Sequence, residues 1–330
     1  MKSFVTGGGG FLGGAIVKAL IQRGDEVICL QRGNYPELDQ SGITAIQGDM
    51  TDQATVDEAT KGCDVVYHVA GLTGVWGPHA DYYHINVIGT ECILSACKKN
   101  RINKLVYTSS PSVIFNGDDE ENIDESIAYP ETYYNNYQRT KSTAEQMVLA
   151  ANNNNLATVA LRPHLIWGPG DPHLVGRILE RAKKRKLKLV AGKQNLVDTT
   201  YIDNAAQAHL MAADKLDIGS SCSGKAYFIT NGEPRLMSEI INGILKSHDM
   251  PAITSTVPAQ LLYMIGTISE WIYSLLRIKR EPMMTRFIAK QLTCAHWYNL
   301  DAAKKDLGYH PQVSIEEGMQ KLHDAFKDSQ

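Results

Sequence analysis

The chain has 330 residues, 43% of them hydrophobic and 21% charged, with a net charge of −3. This is enough apolar material for two domains or one large α/β domain, and the slight acidity excludes the basic surface that nucleic-acid binding needs. Six scattered cysteines with no C-x-x-C pair exclude a disulfide framework and a zinc site of ordinary spacing. No apolar run reaches the roughly 18 uncharged residues of a membrane span, and the strand signal that begins at Lys2 leaves no room for a signal peptide, so a cytoplasmic protein is expected.

Apolar runs occur at Ser3–Thr6, Glu26–Gln31, Thr44–Gln47, Val65–Ala70, Lys104–Ser109 and Thr158–Leu161. Helical periodicity lies between them, at Leu12–Gln22, Thr51–Thr60, Tyr83–Lys99 and Tyr137–Ala151. The runs are apolar throughout rather than alternating, as strands covered on both faces are. Strand and helix in alternation predict an α/β fold, a Rossmann-like doubly wound parallel sheet. Residues 1–172 are expected to form the nucleotide-binding domain, with 197–230 returning to it through Val197–Tyr201 and Ala226–Thr230. Residues 173–196 and 231–330 are expected to form a smaller, mainly helical substrate lobe.

The first strand runs into TGGGGFLGG, Thr6 to Gly14. A strand, a glycine loop and a helix N-terminus aim bare backbone N–H groups at a pyrophosphate. The spacing of Gly8, Gly10 and Gly13 and that of Gly7, Gly10 and Gly13 satisfy such a loop equally well. The second strand ends in Gln31-Arg32, where an NAD-binding chain would carry an acid for the ribose 2′-hydroxyl. Without that carboxylate, and with an arginine able to pair with a 2′-phosphate, NADP(H) is favoured. Asp49, with Met50 beside it, ends the third strand where it can reach the adenine amino group.

Tyr137 and Lys141 are spaced i, i+4 and share one helix face. A neighbouring ammonium favours the phenolate and makes a tyrosine usable for proton transfer near neutrality. The strand LVYTSSPSV ends upstream in Ser109 and Ser110, where a hydroxyl can hold a reacting carbonyl oxygen.

Together with TGxxGxxG, Asp49, HVAG at His68–Gly71 and Asn86 in NVIGT, these residues resemble the extended short-chain dehydrogenase/reductase family. RPHLIWGPGD, VDTTYIDNAAQAH and LGYHPQVSIEEGM extend the resemblance over nearly the whole chain, and TSSPSVIF points to its 3β-hydroxysteroid dehydrogenase-like branch. The resemblance selects Gly7, Gly10 and Gly13 as the phosphate-loop glycines and Ser110 as the catalytic serine beside Tyr137 and Lys141. It implies that Phe11, Leu12, Ala70 and Pro163 also contact the cofactor, as do Arg32, Asp49, Met50, Tyr137 and Lys141. The chain has Val113-Ile114-Phe115 where sugar-modifying members carry V-Y-G, which counts against a nucleotide-sugar epimerase.

The activity implied is NADPH-dependent reduction of the 3-keto group of a long-chain 2-alkyl-3-ketoalkanoic acid, as in olefin biosynthesis. The alternative is a 3β-hydroxysteroid or sterol-4-carboxylate 3-dehydrogenase. A non-catalytic NADP-sensing protein is disfavoured because Ser110, Tyr137 and Lys141 are all retained. Trp76, His164 and Tyr201 are expected to line the substrate pocket, and Arg162, Arg177, Arg286 and His164 are the candidates to face a substrate carboxylate. Pro258–Ile278 reads as a core helix, as a wall for a greasy substrate, or as a segment lying on a membrane surface. The expected partners are a hydrophobic small molecule and a second copy in a homodimer, with peripheral membrane or olefin-pathway association in view.

Overall fold

The computed structural model describes residues 1–38, 42–192 and 194–329. Seven parallel strands form the central sheet: β1 (Lys2–Thr6), β2 (Glu26–Gln31), β3 (Ile43–Gln47), β4 (Val65–His68), β5 (Lys104–Thr108), β6 (Ala157–Pro163) and β7 (Lys225–Ile229). Their order is β7-β6-β5-β4-β1-β2-β3, so the winding reverses between β1 and β4. In open sheets of this kind, ligands bind at the carboxyl edge of that switch point.

Helices cover both faces. In chain order they are α1 (Phe11–Arg23), α2 (Gln53–Ala59), α3 (His79–Tyr83), α4 (Gly89–Asn100), α5 (Asn136–Ala150), α6 (Leu174–Lys183), α7 (Ile202–Lys215), α8 (Met237–Ser247), α9 (Ala259–Leu275), α10 (Arg286–Thr293), α11 (Asp301–Leu307) and α12 (Ile315–Asp328). Successive strand residues point to opposite faces. Val5 and Val27 thus join the core that α1 and α7 close, while Phe4 and Ile28 join the one under α2, α4 and α5. All six cysteines are buried and none forms a disulfide among the described residues.

The helix expected over 83–99 is interrupted. A π-helical turn at His84–Ile88 separates α3 from α4 and buries Asn86. Its amide accepts from Leu72 N at 2.7 Å and donates to Thr140 Oγ1 at 3.1 Å, tying this segment to α5.

Another difference concerns 197–201. Leu196–Val197 pairs with Arg235–Leu236 and with His296, in a four-stranded sheet that also includes Glu120–Ile123. Thr200–Tyr201 pairs with Ile166–Trp167, and of this region only β7 joins the central sheet. The buried carboxylate of Asp198 accepts from Thr199 N and Thr230 Oγ1, which bends the chain between these two short pairings.

α5 is pinned to β6 by a buried ion pair. Arg162 Nε and Nη2 donate to the two Glu145 oxygens at 3.0 and 2.6 Å, and the Tyr129 hydroxyl donates to the same carboxylate at 2.6 Å. Arg162 is 3% and Glu145 0% exposed, so removing one partner strands the other charge in the core. Glu145→Ala should therefore lose about 3–5 kcal/mol in urea unfolding. A loss below about 1 kcal/mol, the scale of a surface pair, would contradict this account.

Candidate active site

The glycine loop forms its turn with its own backbone. Gly7 sits at φ +73°, its N–H donates to Leu30 O at 2.8 Å, and its carbonyl accepts from Gly10 N at 2.9 Å. A Cβ on Gly13 would lie 2.0 Å from that carbonyl, so α1 can begin this close only with glycine there. No side chain caps α1 at Gly10, which leaves the first-turn amides of Phe11, Leu12 and Gly13 to an anion. Thr6 Oγ1 accepts from Val69 N and Ala70 N at 3.0 Å each, closing β1 against the end of β4 beside the loop.

Beyond the loop, Arg32 is exposed at the end of β2 and Gln31 is buried, its Oε1 without a protein partner among the described residues. Asp49 accepts from Thr51 N and Thr51 Oγ1, both at 2.9 Å. Burial pushes its carboxyl up, but the Thr51 donors and the nearby Arg32 outweigh this and hold it below the usual carboxylate range. Met50 is buried against Gly89.

At the other end of the groove, Ser110 leads a tight turn over Pro111–Val113 and Asn135 caps α5 through Gln138 N. Ser110 Oγ accepts from Ser112 N at 3.2 Å and lies 3.0 Å from Ser112 Oγ. Burial pushes the pKa of the Tyr137 phenol up, and the neighbouring Ser110 and Ser112 hydroxyls, which favour its ionisation, only partly offset this. Gln138, fully buried, holds the turn in register with α5: its Nε2 donates to Ser112 O at 2.9 Å and to Phe115 O at 3.1 Å.

Lys141 is 5% exposed; its amine donates to Thr108 O at 2.6 Å and lies 4.2 Å from the centre of the Tyr107 ring. Burial pulls it down to about 7, against the attraction of Glu145. The amine is directed at the Thr108 carbonyl, and in the protein alone the groups that favour the phenolate at Tyr137 are the two serines.

All these groups border one cavity of about 1180 Å³: Gly7, Gly10, Phe11, Leu12, Gly13, Arg32, Asp49, Met50, Ala70, Ser110, Tyr137, Lys141 and Pro163. Ser109 also borders it, with a buried hydroxyl that has no protein partner among the described residues. A cradle only glycine can line, an uncapped helix and two orphaned polar atoms fit a dinucleotide. Ile178, Ile241, Leu262 and Ile288 give the same cavity an apolar wall, with Arg177, Arg181, Lys186 and Lys188 also on its border.

The structure does not bring the three pocket candidates to this wall. His164 is buried behind it, 2.7 Å from His296 Nδ1, and His296 borders the cavity in its place. Tyr201 is 2% exposed and packs edge-on against Trp167. Trp76 faces an adjoining groove, with Nε1 donating to Ile278 O at 2.9 Å. The candidate cations are engaged as well: Arg162 with Glu145, Arg286 with Glu270 and Arg177 with Glu281. Of these, only Arg177 borders the cavity. Ser112 and Gln138 were missed from sequence; the S-P-S spacing after the strand was the one signal for Ser112.

A lysine shifted downward makes stability pH-dependent. Between pH 7 and 10.5 the unfolded chain holds a proton at Lys141 that the folded chain has lost, so unfolding becomes harder as pH rises. The stability of the wild type relative to Lys141→Met should increase by up to about 1.4 kcal/mol per pH unit across that window, measured by urea unfolding without cofactor. A pH-independent difference would show that the amine keeps its ordinary pKa.

Residues 4–258 match the 3-beta hydroxysteroid dehydrogenase/isomerase family. The 2-alkyl-3-oxoalkanoate reductase of Shewanella oneidensis is 50% identical over 97% of this chain and 85% of its own length. That of Stenotrophomonas maltophilia is 48% identical over 98% of each. The human sterol-4-alpha-carboxylate 3-dehydrogenase, decarboxylating, is 33% identical over 98% of this chain and 87% of its own. Among solved structures, an epimerase of Methanothermobacter thermautotrophicus superimposes with a TM-score of 0.80 at 20% identity, over 99% of this chain and 92% of that one, a likeness of fold alone. With its glycine cradle and its serine, tyrosine and lysine on one cavity wall, the chain belongs to the 3-beta hydroxysteroid dehydrogenase/isomerase family.

Proposed function

We propose that the protein is an NADP-dependent ketoreductase that interconverts a long-chain 2-alkyl-3-ketoalkanoic acid and its 3-hydroxy acid. The observation that carries this is the presence of Ser110, Tyr137 and Lys141 on the wall of one cavity that begins at the glycine cradle and continues between apolar side chains. Relatives of 48 and 50% identity named 2-alkyl-3-oxoalkanoate reductase support the same substrate class. The sterol reading shares its central feature, an oxygen β to a carboxylate, and rests on relatives of 32–36% identity.

A bound nicotinamide dinucleotide supplies or accepts the hydride. Gly7, Gly10 and the first turn of α1 hold its pyrophosphate, and Arg32 at the end of β2 pairs with a 2′-phosphate. Ser110 holds the carbonyl oxygen and Tyr137 gives it a proton as it becomes an alkoxide. Ser112 donates to Ser110 Oγ from its amide and its hydroxyl and keeps that serine in line. Lys141, buried beside Thr108, favours the charged form of the phenol once a ribose hydroxyl and the developing charge share its surroundings.

The stable form to offer is the 2-alkyl-3-hydroxy acid, because a free 3-keto acid decarboxylates. The wild type should reduce NADP⁺ with a long-chain hydroxy acid and remain silent with a 3β-hydroxysterol; turnover of the sterol alone would overturn the substrate assignment. Tyr137→Phe should lower kcat by about 10²–10⁴-fold with NADPH affinity kept. Loss of cofactor binding would contradict the role given to the phenol. Arg32→Ala should weaken NADPH by roughly 10- to 100-fold and leave NADH unchanged, read by fluorescence titration. Equal losses for both cofactors would remove the basis for NADP preference.

A further inference from the structure

Helix α9 is apolar on faces that nothing in the described protein covers. Met264, Ile268, Trp271 and Leu275 are each half exposed or more and fall at helical spacing along one stripe, continued by Leu276 and Met283. Only Leu262 and Gly266 of the helix are buried, where a Cβ on Gly266 would lie 2.7 Å from the Thr285 backbone. The expectation of a core helix is therefore corrected: α9 touches the lobe along one edge. A contiguous apolar stripe of this kind marks an interaction surface.

The surrounding charge identifies the partner. Residues 177–188 and 277–286 together hold eleven lysines and arginines against two glutamates, in a chain whose net charge is −3. The first segment leads into Leu189–Val190, which pairs with Thr256–Val257 just before α9 begins, and the second follows the end of α9. Arg181 Nη2 donates to Met283 O at 3.0 Å, so the two basic segments meet. Lys183, Lys184, Arg185 and Lys186 are all exposed. An apolar protein partner would match the stripe and leave the exposed Lys183, Arg185 and Lys186 unanswered, whereas an anionic bilayer answers both.

The helix is also a wall of the catalytic cavity. Leu261 and Ile265, one turn apart, border that cavity and are 38% and 40% exposed. We infer that α9 lies in the headgroup layer of an anionic membrane and that long-chain substrate passes between bilayer and cavity beside Leu261 and Ile265. The second half rests on the substrate class proposed above; the docking itself does not.

The test is flotation of the full chain with phosphatidylglycerol vesicles and, separately, phosphatidylcholine vesicles, with activity measured in parallel. The wild type should float with the anionic vesicles at low salt and at least about tenfold less with the neutral ones. Two double variants, Trp271→Glu with Leu275→Glu and Lys183→Glu with Lys184→Glu, should each lower anionic-vesicle binding by about tenfold or more. Both should oxidise a short, water-soluble hydroxy acid at the wild-type rate and a vesicle-borne long-chain one several-fold more slowly. Absent flotation, equal flotation on both lipids, or flotation unchanged in the variants would overturn the docking. A wild type that fails to float and loses its oligomeric state on Trp271→Glu with Leu275→Glu would assign the stripe to a second copy instead. Flotation lost with vesicle-borne turnover unchanged would overturn the passage beside α9. Flotation intact with neither acid oxidised would sink the substrate class and leave the docking standing.

Discussion

The register of α5 against β5 and β6 governs the rest of the site. Tyr137, Lys141 and Glu145 follow one another at i, i+4 and i+8, so one helix face carries the phenol, the buried amine and the carboxylate anchor. Glu145 is held by Arg162 and Tyr129, and that pair fixes how far α5 reaches along the sheet edge. From there the helix places the Lys141 amine against Thr108 O and Tyr137 against Ser110 and Ser112. The buried ion pair is thus less a source of stability than a gauge of position. Its desolvation cost is offset by three charge-assisted or hydroxyl hydrogen bonds, and the chemistry at the far end of α5 depends on the geometry they set.

The second constraint is the carboxyl edge of the sheet. The winding reverses between β1 and β4, so the loops after these strands diverge and leave room for a ligand. Thr6, through Val69 and Ala70, ties the two strand ends together below that opening. The glycine cradle lies on one side and the serine turn on the other, and Gln138 fastens that turn to α5. The lobe above is assembled from distant segments, with Glu120–Ile123, Leu196–Val197, Arg235–Leu236 and His296–Tyr298 in one small sheet. In this way the apolar wall is set over the reacting edge.

Much of this was legible in the sequence where function depends on local spacing. The glycine loop, the missing acid after β2, and the Tyr137–Lys141 turn are each set within a few residues, and the structure brings them to one cavity. What the sequence did not disclose depends on long-range packing. Gln138 reads as an ordinary helical residue until the Pro111–Val113 turn is laid beside it. His164 and Tyr201 sit close to functional segments along the chain, yet the end of β6 and the pairing of Thr200–Tyr201 with Ile166–Trp167 carry their side chains into the core. Two-residue strands have no periodicity to detect, so the pairing of Leu196–Val197 outside the central sheet left no mark. An apolar helix such as α9 has the same pattern whether buried or bare, and only the fold distinguishes the two.

The central claim is that this site moves a hydride at carbon 3 of a 2-alkyl-3-hydroxy acid. The most direct measurement supplies that acid with deuterium at carbon 3, together with NADP⁺, and follows the reduced cofactor by mass spectrometry. The account predicts one deuterium in the NADPH formed by the wild type and none formed by Tyr137→Phe on the same timescale. Reduced cofactor without deuterium would place the chemistry at another carbon and contradict the account.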